Sequence, residues 1–166
     1  MDKNQREMTK VLVEKGHQVD SAFHKVANQL AAVKSQINAA TQQRPMRYGA
    51  EPVTLVAVSK RQPENKIDAA LEAGQRVFGE NRMQEAIQRW TDRRKVYSDL
   101  ILHLIGPLQT NKVADAVALF DVIEVVDRER LARAIAKEMT RQNRFLPCYI
   151  QVNTGEEPQK SGILPD

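Results

Sequence analysis

Cysteine is almost missing from this chain, with Cys148 alone among 166 residues. A single cysteine closes no internal disulfide and offers no metal-ligand spacing. Its apolar setting, Pro147-Cys148-Tyr149-Ile150, reads as a buried, inert thiol rather than a nucleophile. Aromatic residues are sparse at 5%, and no groove-reading motif accompanies the basic ones. A net charge of +4 therefore gives no ground to expect a nucleic-acid partner. The densest basic stretch, Arg89-Trp90-Thr91-Asp92-Arg93-Arg94-Lys95, reads as the solvated end of a helix, where cations favour the C-terminal dipole. No apolar run approaches the length of a membrane span, and the charged segment from Asp2 to Lys10 holds no signal-peptide core. The expected location is the cytoplasm, with no membrane partner. Glycine is missing where nucleotide folds need it. The turn Ser59-Lys60-Arg61-Gln62-Pro63 excludes a dinucleotide fingerprint, and there is no Walker-type loop.

What is present is alternation. With 42% hydrophobic and 28% charged residues, the composition suits a soluble domain with a real core. Val19, Phe23, Val26, Leu30, Val33 and Ile37 fall on one stripe of a long N-terminal helix that ends before Gln42-Gln43-Arg44-Pro45. A coiled-coil seam and packing against the rest of the domain fit that stripe equally. A short loop with Gly49 and Pro52 leads to the run Val53–Ser59, which reads as a strand buried on both faces. A helix over about 63–73 follows, then strands near 76–79, 100–105, 122–126 and 148–152, each separated from the next by a helical pattern. Strand, helix, strand, repeated, specifies a parallel sheet. A doubly wound sheet and a (β/α)8 barrel both satisfy it, and the lack of a nucleotide loop favours the barrel. A barrel needs eight strands and roughly 250 residues. The chain supplies five and stops in a loop, so it reads as the first part of something longer.

In parallel α/β folds reactive groups collect where strands end. The first strand delivers Lys60, where partial burial would prepare the amine to form an imine. Most lysines at strand ends simply carry charge into water, so the position alone does not decide. The second strand delivers Gly79-Glu80-Asn81. Asn81 reads as a helix N-cap whose side chain, if it faces the mouth, reaches a ring hydroxyl or phosphate. In the third strand, if Leu102 and Leu104 face the helices, Ile101, His103 and Ile105 face the interior. His103 is then either a satisfied core histidine or a neighbour of a cofactor. Glu80, Glu156 and Glu157 lack the spacing of a hydrolytic pair or a metal site. A polar mouth with a lysine and without metal ligands, nucleotide loop or nucleophile triad best fits a Schiff base to an aldehyde cofactor.

Four stretches carry a resemblance: Val56-Ala57-Val58-Ser59-Lys60, Phe78-Gly79-Glu80-Asn81, His103 to Lys112, and Gln151-Val152-Asn153 with Lys160-Ser161-Gly162. Together they closely resemble the pyridoxal phosphate homeostasis protein family, in order and spacing, from about Pro52 to the end. The resemblance implies a TIM-type barrel like the N-terminal domain of alanine racemase, here with about five of eight strands. The apolar stripe makes residues 1–44 an amphipathic helix expected to pack on the barrel, and the resemblance makes 45–166 a partial barrel that binds pyridoxal 5'-phosphate. Lys60 matches the family's Schiff-base lysine and Asn81 the asparagine near the cofactor; His103 joins them as a cofactor-binding candidate. The implied role is intracellular cofactor homeostasis without turnover, serving the cofactor and pyridoxal-phosphate-dependent apo-enzymes as a monomer or weak homo-oligomer. The alternative is a racemase-like enzyme, which needs a second acid/base facing Lys60. In the family the C-terminal part supplies the main phosphate-binding groups and an arginine near the pyridine ring. Without it, weak cofactor binding and an exposed, association-prone fifth strand are expected.

Overall fold

The computed structural model describes residues 3–45 and 51–165, with side chains described from Phe23 onward. The side chain of Val19, and Gly49 in the loop before the first strand, lie outside the described residues. The chain divides into two compact units: residues 1–55 with 61–75, and residues 56–60 with 76–166.

In the first unit the long helix α1, Lys3–Gln42, packs with α2, Glu64–Glu72. Phe23, Val26, Leu30 and Ile37 are half-buried, which confirms the apolar stripe, while Val33 is more exposed. α2 buries Ile67, Ala69, Ala70 and Leu71. Its end is set by Gly74, whose φ of +81° an L side chain resists. That conformation lets Gly74 N–H reach Leu71 O at 3.0 Å and Gln75 N–H reach Ala70 O at 2.9 Å, satisfying carbonyls the helix leaves open. Gln75 Nε2 then donates to Leu55 O at 2.9 Å.

The second unit holds a parallel sheet of five strands in the order β1-β2-β3-β4-β5. They are β1 Ala57–Val58, β2 Val77–Glu80, β3 Ile101–Leu104, β4 Val122–Val126 and β5 Cys148–Ile150. A doubly wound sheet reverses its strand order at a switch point. This sheet never does, and unbroken sequential order is that of a (β/α) barrel. The helices between its strands are α3 Met83–Trp90, α4 Arg93–Val96, α5 Val113–Leu119 and α6 Glu129–Gln142.

The core lies between the sheet and these helices. Phe78, Leu102, Leu104 and Ile123 meet Ala86, Trp90, Val117, Phe120 and Leu131, all essentially inaccessible to water. Phe78 and Trp90 pack at a tilt of 45° with ring centroids 4.7 Å apart. Burying such side chains is worth roughly 1.5–3 kcal/mol each. The opposite face of the sheet is more open, with Ile101 exposed and His103 and Ile105 half-buried, as alternation in β3 requires.

Three expectations change. The run Val53–Ser59 is not a strand buried on both faces: only Ala57–Val58 pair, and Val53 and Val58 are about half exposed. β1 has β2 as its one partner among the described strands, so hydrophobic sequence alone leaves it at an open edge. The basic stretch is not simply solvated, because Arg89 is buried against Glu80 and Arg94 pairs with Asp121. Cys148 is exposed on β5, every residue of which is exposed. Even so, partial desolvation pushes its thiol up from the ordinary value. After β5 the chain loops back, and Val152 pairs in parallel with Ile163.

Candidate functional site

The open face and the C-terminal strand ends bring the candidate residues together. In the β1–β2 register Val58 sits beside Gly79, so Lys60 and Asn81, two positions on, are level at adjacent strand ends. In the β2–β3 register Gly79 sits beside His103, which places the histidine one side-chain layer deeper. Val58, Gly79 and His103 share one face by alternation, and Lys60 and Asn81 follow the strand ends in a turn and a bend.

Lys60 is exposed, not partly buried as the strand-end reading assumed. The chain turns outward there, with Arg61 at φ +58°. Among the described residues the Lys60 amine makes no hydrogen bond or ion pair. Its neighbour is held far more firmly. Ser59 is buried; its N–H reaches Gly79 O at 3.1 Å and its hydroxyl donates to Glu80 Oε1 at 2.6 Å. Arg89 Nη1 donates to Ser59 O at 3.0 Å and to Glu80 Oε1 at 2.8 Å. Trp90 Nε1 completes the cluster, donating to the same carboxylate oxygen at 3.0 Å.

Asn81 is half-buried in the bend between β2 and α3. It does not cap the helix: Arg82 occupies the N-cap position in extended conformation, and no side chain caps α3. The reason is close contact with the end of β3. A side chain at Gly106 would begin 2.2 Å from Asn81 O and 2.6 Å from its Cα, so the absent side chain lets the two backbones touch and fixes Asn81. Among the described residues its side-chain amide has no hydrogen-bond partner.

His103 Nδ1 lies 2.5 Å from Glu124 Oε1, with the ring mostly covered. Gly79 beside it is buried under neighbouring side chains: a Cβ there would meet Ile105 Cδ1 at 3.0 Å and Val56 Cγ1 at 3.2 Å. Further along, Ile105, Pro107 and residues 151–155 with Glu157, Lys160 and Ser161 line a pocket of about 410 Å³. Among the described residues no cluster of His, Cys, Asp and Glu is suited to a metal ion.

An amine and an amide without partners among the described residues thus follow two adjacent strand ends, one layer beyond a carboxylate-bound histidine. An amine can condense with an aldehyde, and an amide and an imidazole can hydrogen-bond polar substituents. Sequence reasoning missed Glu80, Arg89 and Glu124. Glu124 carried a signal, as a lone charge inside the apolar run of β4. Glu80 carried another, because it shares a parity with Phe78 and so points beneath α3. The role of Gly106 carried none.

The family model for the alanine racemase N-terminal domain matches residues 29–166. The chain is 38% identical over 141 residues to the pyridoxal phosphate homeostasis protein of Escherichia coli K12, covering 83% of this chain and 58% of that one. PipY of Synechococcus elongatus, solved without PLP, is similar with a TM-score of 0.70 and 37% identity, over 84% of this chain and 59% of PipY. The same protein with PLP bound gives a TM-score of 0.67 and 36% identity, over 83% and 57%. The chain therefore spans about 58% of the length of the E. coli relative.

Proposed function

The chain belongs to the alanine racemase N-terminal domain family, and on that premise we propose that it binds pyridoxal 5'-phosphate on Lys60 and serves cytoplasmic homeostasis of that cofactor. The observation that carries the reading is the pair Lys60 and Asn81: each lies two positions beyond the register pair Val58 and Gly79 of adjacent parallel strands, and neither side chain has a partner among the described residues. The cofactor supplies an aldehyde, which an amine joins through a carbon–nitrogen double bond with loss of water. Lys60 provides the amine. Asn81, held by Gly106, offers an amide that donates or accepts. His103, held by Glu124, lies one strand over on the same face. Similarity to proteins named for pyridoxal phosphate homeostasis, and to one solved with PLP bound, supports the assignment.

The role is that of a carrier that passes the cofactor to apo-enzymes and does not turn over. A racemase needs acid/base groups on both faces of the cofactor. Here His103 and Glu124 are engaged with each other on one face.

Absorption spectra after addition of pyridoxal phosphate test the reading. A borohydride-reducible band is expected, and it is lost in Lys60→Ala. A band that persists in Lys60→Ala overturns the assignment of Lys60. Steady production of D-alanine from L-alanine would overturn the carrier role.

A further inference from the structure

We infer that Glu80 and Arg89 are positioning residues for Lys60, acting through the backbone and hydroxyl of Ser59; the inference rests on the proposed role of Lys60. β1 is two residues long with one neighbouring strand among the described residues, and a turn follows at Lys60–Arg61. So short a pairing does little to hold the chain beyond Val58. Yet Ser59, the residue before the lysine, is tied by its N–H, its hydroxyl and its carbonyl. Two of these ties converge on one carboxylate and one guanidinium. Glu80 is inaccessible to water and Arg89 nearly so.

The arrangement is more than stability requires. Glu80 Oε1 accepts from Ser59, Arg89 and Trp90, while its buried Oε2 has no partner. A buried pair with an orphaned oxygen is a poor source of net stability, and an apolar replacement often matches it. What it does supply is direction. Arg89 bridges the carboxylate and the Ser59 carbonyl, so the peptide leading into Lys60 is set by a charged pair anchored on β2 and α3. The amine can then be exposed and mobile at its tip while its Cα stays in place, a combination that favours attack on a bound aldehyde.

The test is reductive trapping. Add pyridoxal phosphate to the chain, reduce with borohydride, digest, and compare pyridoxyl label on Lys60 with that on the exposed Lys66 and Lys112. The wild-type chain concentrates label on Lys60. Ser59→Ala removes one tie and keeps the Glu80–Arg89 pair; Glu80→Gln keeps the acceptor oxygen and removes the charge. Both are expected to lower the Lys60 share on the order of tenfold, with thermal midpoint and Trp90 fluorescence of Ser59→Ala unchanged. A purely structural role would move the midpoint and leave the labelling ratio alone. Unchanged ratios in both variants overturn the positioning role and leave the cofactor reading standing. A wild-type chain that labels Lys60 no more than Lys66 or Lys112 overturns the cofactor reading, and the positioning role with it.

Discussion

Gly106 and Asn81 are in backbone contact so close that a methyl group on Gly106 would sit 2.2 Å from the Asn81 carbonyl oxygen. The contact joins the end of β3 to the bend after β2, and Ile105 N–H donating to Glu80 O at 3.0 Å seals it. Gly106→Ala is therefore expected to push Asn81 away from the strand mouth. Overpacking of this kind costs about 1–3 kcal/mol. Urea unfolding should show that loss, and spectral titration should show weaker pyridoxal phosphate binding. Unchanged stability would mean that the contact relaxes freely.

The alternation of strands and helices was legible because hydrophobic period is a local property. β4 is read at its observed bounds, and the α6 stripe of Leu131, Ile135 and Met139 is the buried one. The face of His103 came from parity alone. β1 was not legible: pairing and burial depend on neighbours, and Val53 to Val56 look like a core strand without acting as one. Cys148 failed for the same reason, since β5 is exposed despite its apolar residues. Asn81 lost its capping role because a glycine 25 positions later, Gly106, claims its backbone. Arg89 looked like a helix-end cation, and only the placement of Glu80 beneath Trp90 turns it inward.

Glu80→Ala strips a buried cation of its partner, leaves Trp90 without its acceptor and leaves the Ser59 hydroxyl only Gly79 O at 3.3 Å. Breaking a buried pair from one side costs about 3–5 kcal/mol. For a chain of this size 1 kcal/mol corresponds to roughly 2–4 °C, so calorimetry should show a fall in the midpoint of about 6–20 °C. Glu80→Ala with Arg89→Leu should recover part of the loss, because no lone charge remains. If the double variant falls further than the single one, the two side chains act independently.

Cys148 is the chain's sole thiol and is exposed, so a disulfide reagent should titrate one thiol per folded chain. Partial desolvation raises its pKa above the ordinary 9.0, and the thiolate is the reacting form. Labelling should be slow near neutrality and still accelerating at pH 9. A rate that levels off below that pH would show an activated thiol instead.

Glu138 provides a pH dependence with a definite sign. Hydrogen bonds from Arg141 and Gln142 lower its carboxyl from the ordinary 4.5 to about 2. The folded state therefore binds this proton less readily than the unfolded state does. Stability from the group is fully present above about 4.5, and it fades as pH falls toward about 2, because the unfolded chain takes up the proton first. Arg141 is exposed while Glu138 is largely covered, so salt reaches the pair from the arginine side and the contribution is small. The difference in thermal midpoint between the wild-type chain and Glu138→Gln should be largest above pH 5, shrink across this window and shrink further in high salt. A difference that stays constant from pH 6 to pH 2 would show that Glu138 acts through packing and not through its charge.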